Sequence, residues 1–261
     1  MFRSAHFLLF ALVLFAPFAN AADVRILAVD EPPGSYFVHE GIIDGISVDV
    51  VREIQKRIGQ KSKIQILPED VVLERARTQP DVVAMSYTRN KDREQQFRWI
   101  TQVIRKPWVL YARRPLEVAN VEAMRSVGSI GVVRGDVRAK WLESQKFTNT
   151  REFPDHKAAI KAMLRGKVDS VFTEPSAVAY TCRDLKCSEK DVVNVYSPKA
   201  SDVYILMSLA TSDAEFDRWV TAAEGMKADG TMQAIASRWA ERAQREVGLK
   251  CEAVDGVLVF R

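Results

Sequence analysis

Short, almost wholly apolar runs recur at Val24 to Val29, Ile64 to Leu67, Val82 to Met85, Trp108 to Ala112, Ile130 to Val133, Ser170 to Phe172 and Tyr204 to Ser208. A strand that is apolar at consecutive positions must be covered on both faces, and helices packed above and below a largely parallel sheet give that cover. The intervening stretches supply the helices. Val48, Val51, Ile54 and Ile58 recur at helical spacing, as do Ala159, Met163 and Leu164, then Phe216, Trp219, Val220 and Ala223, then Met232, Ile235, Ala236 and Trp239. Ser212 followed by Glu215 forms a capping box for the third of these helices, and Asp229-Gly230 separates it from the fourth. The alternation predicts an α/β fold with largely parallel sheets.

The unit changes twice, near Arg113-Arg114-Pro115 and near Ser197-Pro198. Between these points lies a compact strand-helix-strand unit, and the chain then returns to finish with two amphipathic helices. The division predicts one lobe from residues 22–113 and 201–261, interrupted by a second from residues 114–200. Two crossovers imply a hinge, and in such proteins the ligand lies in the cleft between lobes and is buried when they close.

At the N-terminus, Arg3 precedes an apolar run from Phe7 to Phe18 that ends in Ala19-Asn20-Ala21, small at both key positions. This predicts a secretory signal peptide of residues 1–21, cleaved after Ala21, and hence an exported, periplasmic chain. Export favours a Cys182 to Cys187 bridge, although pairing of Cys251 with either remains open on sequence alone. The net charge of +4 is modest and interleaved along the predicted helices, so no nucleic-acid partner is implied. His6, His39 and His156 stand apart without ligand spacing, and no metal or cofactor site follows from them.

The segment from Ser86 to Trp99, SYTRNKDREQQFRW, follows an apolar strand with two hydroxyls, a helix-starting Asn90 and Arg93. A guanidinium offers planar paired donors that match a carboxylate, and hydroxyls and free N–H groups can complete the ring. Nothing assembles into a nucleophilic triad or a phosphate-cradling loop, so binding rather than catalysis is the reading.

The ordered set of segments resembles the periplasmic solute-binding proteins of family 3, the polar amino-acid binding family. It comprises Asp30-Glu31-Pro32-Pro33 with Tyr36-Phe37, Asp44 to Asp49, Asp81 through Ser86 and Thr88 to Arg93 and Phe97, Gly131 to Gly135, Gly166 to Asp169 with Glu174, and Asp229-Gly230-Thr231 with Ile235 and Trp239. The resemblance implies a two-lobed periplasmic binding protein-like fold, each lobe a mostly parallel sheet flanked by helices. It also implies a monomer that captures a small solute, an amino acid or related carboxylate, for the membrane permease of an ABC importer. Residue by residue, it implies that Arg93 clamps the carboxylate with help from Ser86 and Thr88. Glu174 would receive an ammonium from the second lobe with Asp30 assisting from the first, while Tyr36 and Phe37 either wall the pocket or belong to the core.

The chain departs from the family where a Ser-Thr or Thr pair is usual, having Asp136-Val137, and has Pro68 where an aromatic often covers the ligand. Arg134 and Arg138 read either as charges that favour an acidic or larger anionic ligand or, more often, as solvated helix-start charges. Two other readings share the fold: a dehydratase of cyclohexadienyl type, with Glu174 as general acid, and a ligand-sensing module for a membrane receptor.

Overall fold

In a computed structural model of the protein, which describes residues 24–188 and 190–261, the elements alternate as the apolar runs predict. They are β1 (Arg25–Ala28), β2 (Tyr36–His39), β3 (Ile42–Asp44), α1 (Ile46–Ile58), β4 (Ile64–Ile66), α2 (Glu69–Thr78), β5 (Val82–Thr88), β6 (Phe97–Ala112), β7 (Ile130–Val133), α3 (Val137–Ser144), β8 (Thr150–Phe153), α4 (His156–Leu164), β9 (Ser170–Thr173), α5 (Pro175–Leu185), β10 (Val193–Ser208), α6 (Asp213–Ala228), α7 (Thr231–Val247), β11 (Cys251–Val254) and β12 (Val257–Phe260). The expected signal peptide lies outside the described residues.

Strands β4, β1 and β5 pair in parallel, as do β8, β7 and β9, and the two sets are joined through β10 and β6. Each joining strand has 16 residues, which at ~3.4 Å per residue extends over roughly 50 Å, enough to serve both sets. Near Val203 to Met207, β10 pairs with β5, whereas the far end of β6, Val109 to Ala112, pairs with β9. Between these zones β6 carries Pro107, and Pro198 of β10 falls in a break of register between Tyr196 and Lys199. Proline cannot donate to the ladder, so both sit where pairing is irregular or changes hands. The expected boundaries at residues 113 and 200 fall at the end of β6 and inside β10.

Both sets are covered on both faces. In the first, α1, α6 and α7 bury Ile54, Trp219 and Trp239 against β1, β5 and β10, and α2 packs Val72 and Ala76 against Leu27, Tyr87 and Leu206 on the other side. In the second, Trp108, Leu110, Leu142 and Phe172 form one cluster, and Val109, Ala159, Met163 and Val171 another. Cys182 and Cys187 are bridged and Cys251 is free. Burial pushes the Cys251 thiol up to about 12, which leaves it unreactive.

Two expectations fail. The chain from residue 89 to 96 is a turn and not the predicted helix, because only these eight residues separate β5 from β6; Asn90 Oδ1 accepts the Arg93 N–H at 3.0 Å and caps a turn instead. The joining strands start early, β6 at Phe97 and β10 at Val193, each eleven residues before the predicted Trp108 and Tyr204. The added part of β6 interleaves Arg98, Gln102 and Arg105 with Ile100, Val103 and Ile104, which breaks the apolar run that marks the other strands.

The loop after β1 and the start of α1 meet in one close backbone approach. Gly45 precedes α1 at φ 144°, and a Cβ there would lie 2.1 Å from the Gly34 carbonyl oxygen. Gly45→Ala is therefore expected to destabilise the fold by roughly 2–4 kcal/mol, whereas Gly41→Ala, at φ 76° with open space around it, should cost about 1 kcal/mol. Urea denaturation midpoints of the two variants check the contrast.

Candidate binding cleft

A cavity of about 490 Å³ opens between the two sets of strands. One wall comes from the ends of β1, β4 and β5 and the turn that follows β5. The other comes from the starts of α3 and α4, and Lys106 of β6 lies between them. A larger groove of about 660 Å³ runs beside the disulfide between α5 and the end of α7. The smaller cleft is the candidate because it holds Arg93 and a dense set of buried charges.

Arg93 is buried, yet its guanidinium has only long contacts, 3.5 Å to Glu69 Oε1 and 3.5 Å to the Thr88 carbonyl oxygen. It lies 5.6 Å from the Tyr87 ring centre. The Tyr87 hydroxyl is buried without a hydrogen-bond partner among the described residues, so donor capacity remains beside the guanidinium. Ser86 adopts a left-handed conformation, φ 70°, and turns its hydroxyl inward, 3.3 Å from Ser35 Oγ and 3.2 Å from Ser47 Oγ. Strain of this kind, about 1–3 kcal/mol, gathers at binding sites. Thr88 and Asp30 line the cleft, as does Phe37, which leaves 46% of its surface exposed. Burial raises the Asp30 carboxyl somewhat against the lowering effect of the Phe37 backbone N–H.

Two expected residues lie elsewhere. Tyr36 is buried outside the cleft, edge-on to Tyr180 at 5.9 Å, with its hydroxyl accepting from Arg242 Nη2 at 3.3 Å. Glu174 sits beneath the floor, 1% exposed, and both its oxygens are taken. Lys106 Nζ is 2.6 Å from Oε2, Arg138 Nη1 donates to Oε2 at 2.8 Å, and Ser176 Oγ donates to Oε1 at 2.9 Å.

Glu174 is the middle of a buried chain of charges. Lys106 reaches back to Glu31 on the loop after β1, and Arg138 holds Asp136 through Nε at 2.8 Å and Nη2 at 2.6 Å. Burial would raise the Glu174 carboxyl, but Lys106 and Arg138 outweigh it and hold the group well below the ordinary carboxylate range. A role as proton donor, which a dehydratase would ask of it, runs against that environment. Glu31 is pushed upward by burial, only partly offset by Lys106. Lys106 remains charged, since its two acids outweigh the cost of burying it. Arg138 is thus buried and paired, not a solvated helix-start charge.

Sequence reasoning passed over Lys106, Glu31 and the pairing of Arg138. One signal existed for Lys106: it shares strand parity with Ile104, Trp108 and Leu110, all buried, which points a lysine inward.

Burial and the neighbouring Arg138 push His156 down to about 4 from its ordinary 6.5. Arg138 Nη2 faces Nε2 at 3.5 Å, so the neutral ring donates from Nδ1 to Thr173 Oγ1 at 2.9 Å. A folded pKa below the unfolded one contributes stability that is complete above pH 6.5 and lost as pH falls toward 4. Allowing for partial exposure of the ring, the loss is on the order of 2 kcal/mol. Melting curves between pH 7 and 4.5 should therefore show a smaller acid shift for His156→Gln than for the unaltered protein, by about 5 °C.

The family model for bacterial extracellular solute-binding proteins, family 3, matches residues 25–242. No curated protein sequence matches the chain. Solved structures share the fold at low identity. A histidine kinase sensor domain with similarity to periplasmic binding proteins gives a TM-score of 0.74 at 17% identity, covering 83% of this chain and 95% of that one. An ancestral arginine-binding protein bound to glutamine gives 0.69 at 18%, covering 83% and 97%. The arginine-, lysine-, histidine-binding protein ArtJ of Geobacillus stearothermophilus gives 0.69 at 18%, covering 85% and 98%. By the match over most of its length, the chain belongs to the bacterial extracellular solute-binding proteins, family 3.

Proposed function

We propose that the protein is exported to the periplasm with residues 1–21 removed, captures a small carboxylate-bearing solute in the cleft, and delivers it to the permease of an ABC importer. The observation that carries this reading is the Arg93 guanidinium, buried at the cleft and held only by long contacts beside an unpartnered Tyr87 hydroxyl. A buried cation with unused donors is costly unless an anion completes it, and a carboxylate matches its fork. The structural neighbours bind arginine, glutamine, lysine or histidine, all of which carry a carboxylate, so the solute is an amino acid or a related carboxylate.

Thr88 offers a further hydroxyl to the same carboxylate, and Phe37 supplies an apolar wall for the solute's body. Asp30 and Glu69 on one wall and Asp155 on the other form an acidic rim. Closure turns about β6 and β10, so that the wall built by α3 and α4 moves against Arg93 and excludes water. Affinity then reports the closed population. Docking on a membrane receptor is a second reading, favoured by the sensor-domain neighbour, and it uses the same cleft and the same closure.

A thermal-shift screen of amino acids, dicarboxylates, amines and small peptides should find solutes that raise the melting temperature, all with a carboxylate. Arg93→Ala should weaken their binding by about 100-fold, ~3 kcal/mol, and leave the unliganded melting temperature nearly unchanged. Undiminished binding by that variant would remove Arg93 from the site.

A further inference from the structure

The second wall has no free carboxylate in its interior. Glu174 is 1% exposed and accepts from Lys106, Arg138 and Ser176. Three short partners take most of its acceptor positions, and at 1% exposure, beneath the residues that line the cleft, Glu174 offers no surface to a solute. Asp136 accepts from Nε and Nη2 of Arg138 and from its backbone N–H at 2.7 Å. Glu31, which lines the cleft, is held by Lys106 through Oε1. An ammonium arriving at Glu174 would have to displace Lys106, which is 5% exposed, and would strip that buried charge of one of its two acids.

We infer that Lys106 is a built-in ammonium: it fills the space between Glu31 and Glu174, and the cleft therefore selects carboxylic acids that lack an ammonium beside the carboxylate over their 2-amino counterparts. This rests on the reading of Arg93 as the carboxylate receptor. Arg93 holds the acid, while each inner acid of the cleft among the described residues, Glu31, Asp136 and Glu174, is already matched by a cation of the protein. The remaining acids near the cleft, Asp30, Glu69 and Asp155, lie at the exposed rim, and Asp155 already accepts the Ala158 N–H at 2.7 Å to start α4. Contacts to a solvated rim carboxylate are screened and add little discrimination. Lys106 stands on β6 beside Pro107, between the two walls, so it occupies the acid pair without having to cross the cleft.

The test is isothermal titration calorimetry of the mature protein with matched pairs: 2-oxoglutarate and 2-hydroxyglutarate against glutamate, succinate against aspartate, phenylpyruvate and phenyllactate against phenylalanine, and lactate against alanine. In each pair that registers, the acid without nitrogen should bind at least about 30-fold more tightly, equivalent to ~2 kcal/mol. Lys106→Met, which keeps length and removes charge, should raise the affinity for the amino member and shrink the ratio toward one, whereas Lys106→Arg should keep it. A loss of packing alone would weaken both members together and leave the ratio where it was. An amino acid that binds the unaltered protein as tightly as its nitrogen-free partner, with binding still lost in Arg93→Ala, overturns this inference and leaves the carboxylate receptor standing. Failure of every carboxylate to bind overturns both. Should Lys106→Met fail to fold, the ratios of the unaltered protein and of Lys106→Arg decide the matter.

Discussion

The chain Glu31, Lys106, Glu174, Arg138 and Asp136 ties together parts of this molecule that lie far apart in sequence. Buried charges tolerate no missing partner, since each unpaired one costs several kcal/mol. The five groups come from the loop after β1, from β6, from the cap of α5, and from the cap and first turn of α3, so their pairing sets how the ends of those elements meet. Lys106 stands where β6 passes from one group of partners to the other. The proposed closure would have to keep its two pairs intact, and so would turn about the floor while the rim travels.

The same chain explains why the charges of the cleft do not act as an undivided acidic patch. Its inner acids are each matched by a cation and are spent on the protein itself, while the rim acids face water. Arg93 is the exception, a buried cation with long contacts only. What the cleft recognises then depends less on how many charges surround it than on which one still lacks a close partner.

The fold was legible wherever a strand is buried on both faces, because Val82 to Met85 and Ile130 to Val133 leave no polar break, and the order of motifs carried the family. The joining strands were half hidden. Only their apolar ends at Trp108 to Ala112 and Tyr204 to Ser208 read as strand, since charged residues interrupt the rest of each, Arg98 and Arg105 in β6 and Lys199 and Asp202 in β10. In the site, Arg93, Ser86, Thr88, Asp30 and Phe37 do gather around one cavity. The placements of Tyr36 and Glu174 were not legible, because whether an acid or an aromatic after a strand faces the cleft or the interior depends on partners far along the chain. Glu174 is 68 residues from Lys106 and 36 from Arg138, and spacing along a sequence says nothing about such pairing.

These pairings also bear on whether a fold of this kind could turn its solute over. A general acid needs a proton near neutral pH, which calls for a carboxyl raised by burial without a cation to stabilise its charge. Glu174 has the burial and also two cations, and the cations prevail. His156 is held neutral well below pH 7 and gives its one N–H to Thr173. Glu31 is raised and lines the cleft, but it is fastened to the Lys106 ammonium. An arrangement that fixes proton positions this firmly suits discrimination among solutes, because each group presents the same charge and the same donors to every molecule that enters. To obtain turnover from this floor, Lys106 and Arg138 would both have to be drawn away from Glu174, and that would break the contacts through which the walls of the cleft are joined.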